Sequence, residues 1–215
     1  IAQVVFMFGM ITGNVLMPNL SVFWERGEQE RVNFFLNLGI KLNLFFLLIL
    51  AGIIFFFKES IISLFYGEIY LKSVQVVNIL LIFSLLTSIL WTIRGYACLI
   101  EKTYIPLICN LLGVMSNIFL SYILIPHYGI IGAAIATTVS CVFIVIITFF
   151  WFVLEGFRIK LNTVLVCLLP FVFLLHDLTI TIILLFPLLL LSFFIIDKEE
   201  KFFLLQKIKI FKRKI

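Results

Sequence analysis

The sequence predicts an all-α membrane protein, a polytopic bundle of apolar helices, from three observations. Of its 215 residues, 64% are hydrophobic and 13% are charged, whereas soluble domains carry about 25% charged residues. The mean hydropathy is +1.27. Several apolar runs approach the ~20 residues that a helix needs to cross a bilayer, and none shows the alternating segments of about ten residues that build a transmembrane β-barrel.

Seven apolar runs predict seven membrane spans, in this order: Ile1–Met17, Leu36–Phe57, Val74–Ile93, Ile105–Ile125, Ile130–Leu154, Leu161–Leu175 and Leu178–Ile196. The first run has no charged segment or cleavage site before it, so it is not typical of a signal peptide. We therefore expect the chain to be the C-terminal part of a longer protein, with a small protein trimmed at its N-terminus as the alternative. The spans predict a transmembrane bundle over residues 1–196, and a basic tail follows over residues 197–215.

The loops between the spans differ in charge. Of the 16 Lys and Arg residues, only Lys58 and Lys72 fall in loops on one side of the membrane. Such a bias is typical of the positive-inside rule, so we expect the basic side and the C-terminus of this multi-pass protein to be cytoplasmic. In the tail, Leu204, Ile208 and Phe211 share one helical stripe, which predicts an amphipathic helix on an anionic membrane surface. Because this rule explains the excess of positive charge, we do not expect nucleic acid as a partner.

Two spans carry polar residues on one face. The fourth span has Pro106, Asn110, Gly113, Asn117 and Ser121 within about a third of its circumference. The stripe favours either hydrogen bonds between packed helices or one wall of a hydrated cavity. The third span repeats the pattern with the following residues: Ser84, Thr87, Ser88 and Trp91.

Two cations lie near span ends, Lys41 and Arg94. Each could reach the lipid headgroups with its long side chain. A cation that instead points into the bundle would be placed to meet an anionic substrate group.

No group of residues predicts catalysis. His127 and His176 are isolated at turns, and no phosphate-binding loop is present. The four cysteines lie singly in or beside apolar runs, which is typical of inert buried thiols rather than of metal or redox sites. The four cysteines are Cys98, Cys109, Cys141 and Cys167. We therefore expect neither an enzyme nor a cofactor or metal site.

The segment LSYILIPHYGIIGAAIATTVS (Leu120–Ser140) predicts a tight reversal between the fourth and fifth spans. Pro126 is expected to end one helix, and Gly129 suits the reversal. Small residues such as Gly132, Ala136 and Ser140 recur at every fourth position, which favours close packing of two helices.

Three segments of the chain resemble one protein family. They read VLMPNLS (Val15–Ser21), LFYGEIYLKSV (Leu64–Val74) and NIFLSYILIPHYGIIGAAIATTVS (Asn117–Ser140). In their order and spacing they resemble the C-terminal half of Wzx-type polysaccharide and O-antigen flippases, of the multidrug/oligosaccharidyl-lipid/polysaccharide exporter superfamily. The resemblance implies the second bundle of a MATE-like transporter, in which about 12 to 14 helices form two bundles around a central cavity.

The resemblance also implies a function and its partners. The substrate would be an oligosaccharide linked to undecaprenyl pyrophosphate. A multi-pass protein of the bacterial inner membrane would move it across the bilayer for the synthesis of O-antigen or capsule. A polysaccharide polymerase and a chain-length regulator would be further partners. Side chains that could hydrogen-bond the sugars are Ser84, Thr87, Ser88, Asn110 and Asn117, and the cations that could meet the pyrophosphate are Lys41 and Arg94.

Two alternatives remain open at this point. A multidrug/cation antiporter of the same superfamily usually needs a carboxylate inside the membrane, and none of the seven spans contains an internal Asp or Glu. A non-transporting component of polysaccharide assembly, such as a polymerase, would typically have a long external loop, which the sequence lacks.

Overall fold

The computed structural model describes residues 2–174, and every regular element in this range is a helix. The helices are α1 (Ala2–Glu25), α2 (Gln29–Phe56), α3 (Lys58–Tyr66), α4 (Val74–Leu99), α5 (Tyr104–Leu154) and α6 (Leu161–Leu168), with short 3-10 helices over Glu68–Ser73 and Leu169–Leu174. Four of them, α1, α2, α4 and α5, are long and apolar enough to cross a membrane. The all-α, multi-pass fold predicted from the sequence is thus confirmed. The seventh predicted span and the basic tail lie outside the described residues.

Helices extend beyond several of the predicted spans, because hydropathy predicts the part inside the bilayer rather than the helix end. Helix α1 continues past Met17 and through Pro18 as far as Glu25. The hydroxyl of Ser21 donates a hydrogen bond to the Pro18 carbonyl at 2.9 Å, within the same helix. Helix α2 begins at Gln29, seven residues before the predicted span.

The predicted reversal inside α5 is confirmed, but Pro126 does not end the first helix, which continues through it until the backbone leaves the helical region at Gly129. Gly129 has φ 55° and ψ −128°, a conformation outside the helical region and one that glycine adopts most readily. Residues on either side of it then meet in antiparallel order, with Gly113 against Ile144 and the Ser116 and Ser140 hydroxyls 3.5 Å apart. Helix α5 is therefore a hairpin of two arms, residues 104–128 and 130–154. The small residues of the second arm pack on the arm that precedes it.

Helix α4 lies at the centre of the bundle, in contact with α1, α2 and α5. Two glycines one turn apart bring α1 close to it. A Cβ atom added at Gly13 would lie only 2.7 Å from the Trp91 carbonyl oxygen, and one added at Gly9 would overlap the Ser88 side chain. The close approach of small residues replaces the hydrophobic driving force that is absent between helices in lipid.

Contacts between the helices show that successive crossings run in opposite directions. Thr12 of α1 bonds Asn43 of α2, while Leu16 further along α1 meets Gly39 earlier in α2, so these two helices are antiparallel. By contrast α4 and the second arm of α5 are parallel, since Thr138 bonds the Ile79 carbonyl and Tyr96 packs on Phe152.

The loops consequently gather at two ends of the bundle. Residues 26–28, 100–103 and 155–160 form one end, here called the basic end, and residues 57–73 with Gly129 form the opposite end. The loops that the charge pattern assigns to one side do lie together. Which side of the membrane they face stays a prediction.

Candidate functional site

Polar side chains of α4 and α5 meet in a cleft of about 130 Å³ near the basic end, here called the α4–α5 cleft. Its walls include Thr87, Trp91, Arg94, Pro106, Asn110 and Thr148. Three of the seven residues that the sequence suggests for substrate binding therefore lie around one space. They come from facing surfaces of α4 and the first arm of α5, which are antiparallel neighbours.

Arg94 supplies the positive charge of the cleft. Its guanidinium carbon lies 4.8 Å from the centre of the Trp91 ring, and the side chain is exposed. A guanidinium that stacks on an aromatic ring uses its flat face, so its N–H edge stays directed outward. The geometry suits Arg94 to an anionic oxygen better than to a purely apolar ligand.

Two neutral groups complete the polar part of the cleft. The hydroxyl of Thr87 donates to the Phe83 carbonyl at 2.7 Å and lies 3.5 Å from the Cys141 sulfur. Because a hydroxyl oxygen has two lone pairs, at least one can accept a hydrogen bond from a ligand. The amide of Asn110, exposed on the first arm of α5, offers both donors and acceptors. Trp91 adds an aromatic surface. A cation, an amide, a hydroxyl and an indole can bind phosphate and sugar groups, but they supply no nucleophile or acid–base pair.

The polar stripe of the fourth predicted span divides into two parts. Asn110 lines the cleft, whereas Asn117 donates to the Thr137 hydroxyl at 3.4 Å and accepts from Ser121 at 3.0 Å. The bond to Thr137 joins the two arms of α5, and the bond from Ser121 lies within the first arm. Asn117 thus serves helix packing, as one interpretation of the stripe expects, whereas a hydrated cavity at Asn110 stays a prediction.

The two serines of α4 lie away from the cleft. Ser84 donates to the Leu80 carbonyl at 2.8 Å and Ser88 to the Leu85 carbonyl at 2.6 Å, so both bond their own helix. Both are buried, and Ser88 faces Gly9 of α1. The structure does not bring them together with Thr87.

Lys41 lies inside the bundle, with only 2% of its surface exposed. Extension to the lipid headgroups, one of the two interpretations of this residue, is therefore wrong. The side chain is also not part of the α4–α5 cleft. It lies one helical turn from Asn37, which is buried as well.

Sequence reasoning missed Asn43, which joins three helices. Its amide donates to the Thr92 hydroxyl at 2.8 Å and to the Ser88 carbonyl at 3.4 Å, and its carbonyl oxygen accepts from Thr12 at 3.2 Å. An asparagine within a strongly apolar run was the available signal, because such a residue faces protein rather than lipid.

Residues 2–174 contain no group of three or more His, Cys, Asp and Glu side chains that could hold a metal ion. His127 lies near the reversal of α5, with the ring of Tyr128 6.5 Å away. Three of the four cysteines are buried or half-buried, and Cys98 is exposed.

A bundle of antiparallel apolar helices with a polar cleft between them, and no catalytic constellation in its described part, has the architecture of a membrane transporter. The family comparison agrees, because residues 3–197 match a family model described as "Lipid II flippase MurJ". The chain belongs to this MurJ family, whose members are transporters and not enzymes.

Two further proteins are similar to this chain. The chain is 30% identical over 148 residues to an uncharacterized membrane protein of Methanocaldococcus jannaschii, an alignment that covers 67% of this chain and 28% of the relative. Its structure resembles that of a lipid II flippase MurJ in an inward closed conformation, with a TM-score of 0.62 and 21% identity over 88% of this chain. At that identity the likeness establishes the fold. The chain spans 43% of the solved relative's length.

Proposed function

We propose that the protein moves a polyprenyl-diphosphate-linked saccharide across the membrane, and that this chain supplies one of two helical bundles. The observation that carries the proposal is the α4–α5 cleft, in which Arg94, Asn110 and Thr87 come together within a chain of the MurJ family. A diphosphate and several sugars cannot cross hydrocarbon without polar partners. Arg94 would meet the diphosphate, and the amide and hydroxyl would meet the sugars.

Two substrates share this chemistry. The family's description names lipid II, and the segments Val15–Ser21, Leu64–Val74 and Asn117–Ser140 resemble flippases of O-antigen repeat units. Both carry a saccharide on a polyprenyl diphosphate, so both would use the same cleft. With the repeat-unit substrate, a polysaccharide polymerase and a chain-length regulator would be partners.

The test measures transbilayer movement of fluorescent lipid-linked saccharides by the full-length protein in proteoliposomes. Lipid II and an O-antigen repeat-unit lipid form separate arms, which identify the substrate. Arg94→Gln removes the charge but keeps a polar side chain, and Asn110→Leu removes the amide. Because a hydrogen bond to a charged group contributes about 1.5–3 kcal/mol, we expect Arg94→Gln to lower the transport efficiency by roughly tenfold or more.

Matched variants separate the cleft from general effects. Arg26→Gln removes an exposed cation in the α1–α2 turn, and Ser84→Ala removes a hydroxyl that bonds its own helix. Both are expected to transport normally. Full activity of Arg94→Gln combined with Asn110→Leu contradicts the role of the cleft. Export of cationic drugs, with no movement of either lipid, would support the antiporter alternative instead.

A further inference from the structure

An apolar patch lies at the opposite end of the bundle, on α3 and on the 3-10 helix that follows it. Its five residues, here called the α3 patch, are Leu64, Phe65, Tyr66, Ile69 and Tyr70. All five are exposed, and Leu64 and Ile69 expose 80% and 89% of their surfaces. Apolar patches on a protein surface mark places that contact a membrane or a partner. The proposed transport function makes no use of these residues.

The first turn of α3 fixes this segment to the bundle. The Lys58 ammonium donates to the Asn78 side chain of α4 at 2.9 Å and lies 4.2 Å from the centre of the Phe55 ring of α2. Ile62, one turn further along α3, is buried as well. Helix α3 is therefore held against both α2 and α4, and the α3 patch has a defined place on the bundle.

Helix α3 has a second apolar face that the bundle covers only in part. Successive residues of a helix are about 100° apart, so Ile61, Leu64 and Phe65 lie within about a third of the circumference. This face lies beside the buried Lys58 and Ile62. The polar arc of the helix consists of Glu59, Ser60 and Ser63, all exposed. A helix with separate apolar and polar faces suits the boundary between lipid and water.

The place of α3 in the fold sets the level of the patch. The segment lies between the end of α2 and the start of α4, two helices that are long and apolar enough to cross a membrane. Near the end of α2, Ile53 and Phe56 expose apolar side chains, as does Phe57 directly after it. The Ile61 backbone N–H donates to the Phe57 carbonyl at 2.8 Å, so Phe57, Ile61 and Leu64 follow one another along one stripe. The exposed apolar surface of α2 thus leads directly into the α3 patch.

Two tyrosines lie at the margin of the patch. The rings of Tyr66 and Tyr70 are 6.4 Å apart in edge contact, on either side of Gly67, which has a φ of 88°. Tyrosine is enriched at membrane–water interfaces, because its ring is apolar and its hydroxyl can bond headgroups or water. Tyrosine is also common in protein interfaces, so the level of the patch and its continuity with α2 decide in favour of lipid.

We propose that the α3 patch is a membrane anchor, which inserts between the headgroups and the acyl chains of the leaflet at the opposite end. Leu64, Phe65 and Ile69 contact the acyl chains, the hydroxyls of the two tyrosines lie among the headgroups, and the polar arc faces water. Helix α3 then lies in the plane of the membrane and holds the ends of α2 and α4 at one depth. The proposal is independent of the transported substrate.

The test is site-directed spin labelling of the full-length protein in bilayers of phosphatidylcholine and phosphatidylglycerol. In a variant without native cysteines, a nitroxide is attached at Leu64→Cys, at Ile69→Cys and, on the polar arc, at Ser63→Cys. Collisions with oxygen, which concentrates in lipid, and with a water-soluble nickel chelate report the surroundings of each nitroxide. We expect the ratio of oxygen to nickel accessibility at positions 64 and 69 to exceed that at position 63 by roughly fivefold or more.

Two other results of this measurement overturn the proposal. Nickel accessibility at positions 64 and 69 as high as at position 63 would show that the patch lies in water. Low accessibility to both reagents, with an immobilised nitroxide, would show that a second copy of the chain or another protein surface covers the patch.

Replacement of patch residues tests the insertion directly. With the nitroxide at Phe65→Cys, Leu64→Gln combined with Ile69→Gln is expected to lower the oxygen-to-nickel ratio by roughly threefold or more, because apolar side chains favour the move out of water. The same replacements on the polar arc, Ser60→Gln with Ser63→Gln, should leave the ratio unchanged. Both pairs are exposed, and circular dichroism checks that each variant keeps its helices. An unchanged ratio after the replacements at 64 and 69 likewise contradicts the anchor.

Discussion

At the scale of single residues, polar groups inside the bundle hold helices together where hydrophobic burial cannot. Asn43 is an example, because its one amide reaches α1 through Thr12 and α4 through Thr92. Hydrogen bonds between helices in membranes contribute about 0.6 kcal/mol each on average. The amide therefore stabilises the packing of three helices rather than a binding surface.

Replacement of Asn43 by Leu is expected to lower the free energy of unfolding by about 1–2 kcal/mol, because several buried hydrogen bonds are lost together. Unfolding of the purified protein in mixed micelles, followed by circular dichroism, measures the change. Asn110→Leu is the matched control, since the same replacement at an exposed position of α5 should cost less than about 0.5 kcal/mol. Equal stabilities of the two variants would refute the role of Asn43.

Lys41 and Arg94 show why the sequence alone did not predict which cation lines the α4–α5 cleft. Lys41 and Arg94 look alike in the sequence, each close to a predicted span end. The structure buries Lys41 inside the bundle and leaves Arg94 exposed at the α4–α5 cleft. Periodicity assigns a residue to a helix face, but which neighbour covers that face depends on contacts made far along the chain.

At the scale of elements, the hairpin of α5 depends on two glycines for different reasons. Gly129 provides the conformation that reverses the chain, and a Cβ there would meet no atom within 4 Å. Gly132 lies directly against the carbonyl of Leu124, with no space for a side chain. Replacement of Gly129 is thus limited by the backbone conformation, and replacement of Gly132 is limited by the lack of space for a side chain.

We expect Gly132→Val to destabilise the protein more than Gly129→Ala. The alanine at 129 costs about 1–3 kcal/mol of backbone strain. The valine at 132 forces the two arms apart and also loses contacts such as that between Asn117 and Thr137. A cysteine pair at Ser116 and Ser140, which face each other at 3.5 Å, reports the separation. Its crosslinking should persist in Gly129→Ala and fall in Gly132→Val, and the reverse order would contradict the packing described for Gly132.

An ion pair between Lys102 and Glu155 joins the α4–α5 connection to the end of α5. The hydrogen bond that Lys102 donates to the Glu155 carboxylate raises the pKa of Lys102 above its ordinary value of 10.5. A raised pKa means that folding favours the charged form, so the stabilisation is fully present below pH 10.5 and is lost as the pH rises through the higher folded value.

Lys102→Met is therefore expected to lower the thermal midpoint of unfolding slightly at neutral pH. Above the folded-state pKa of Lys102, the variant and the wild type should have similar midpoints, because the wild type has then lost the ion pair as well. Thermal unfolding between pH 7 and strongly alkaline pH compares the variant with the wild type. The difference should also shrink with added salt, because the pair is partly exposed. A difference that grows with alkaline pH would show that the ion pair is not its cause.

The elements also show how much of the fold and of the candidate site could be predicted from the sequence. Apolar runs predicted the crossings, and the Pro126–Gly129 segment predicted the reversal of α5, because bilayer thickness and turn geometry are local constraints. The end of α1 at Glu25 was not predicted, although the sequence contains its signal: Gly27 adopts a positive φ of 73°, and glycine at this place commonly ends a helix. The division of the polar stripe between Asn110 and Asn117 depends on which helix packs at each level, and no local rule encodes it.

For the whole molecule, the alternating directions of the crossings and the distribution of charge together predict which side of the membrane each end of the bundle faces. Within residues 2–174, the loops of the basic end carry Arg26, Lys102, Arg158 and Lys160, whereas the opposite end carries Lys58 and Lys72. Loops richer in Lys and Arg tend to be retained in the cytoplasm. The basic end would then face the cytoplasmic leaflet, while α3 and its exposed aromatic residues Phe65 and Tyr66 would face the opposite surface.

Cysteine labelling tests this orientation. In a variant without native cysteines, Glu68→Cys lies in the exposed 3-10 helix of the opposite end, and Glu30→Cys lies at the basic end. A membrane-impermeant maleimide is expected to label Glu68→Cys in intact spheroplasts and Glu30→Cys only after permeabilisation. Both sites are exposed glutamates near helix starts, so accessibility after permeabilisation serves as the common control. The opposite labelling pattern would show that the bundle has the reverse orientation, with the basic end at the outer leaflet.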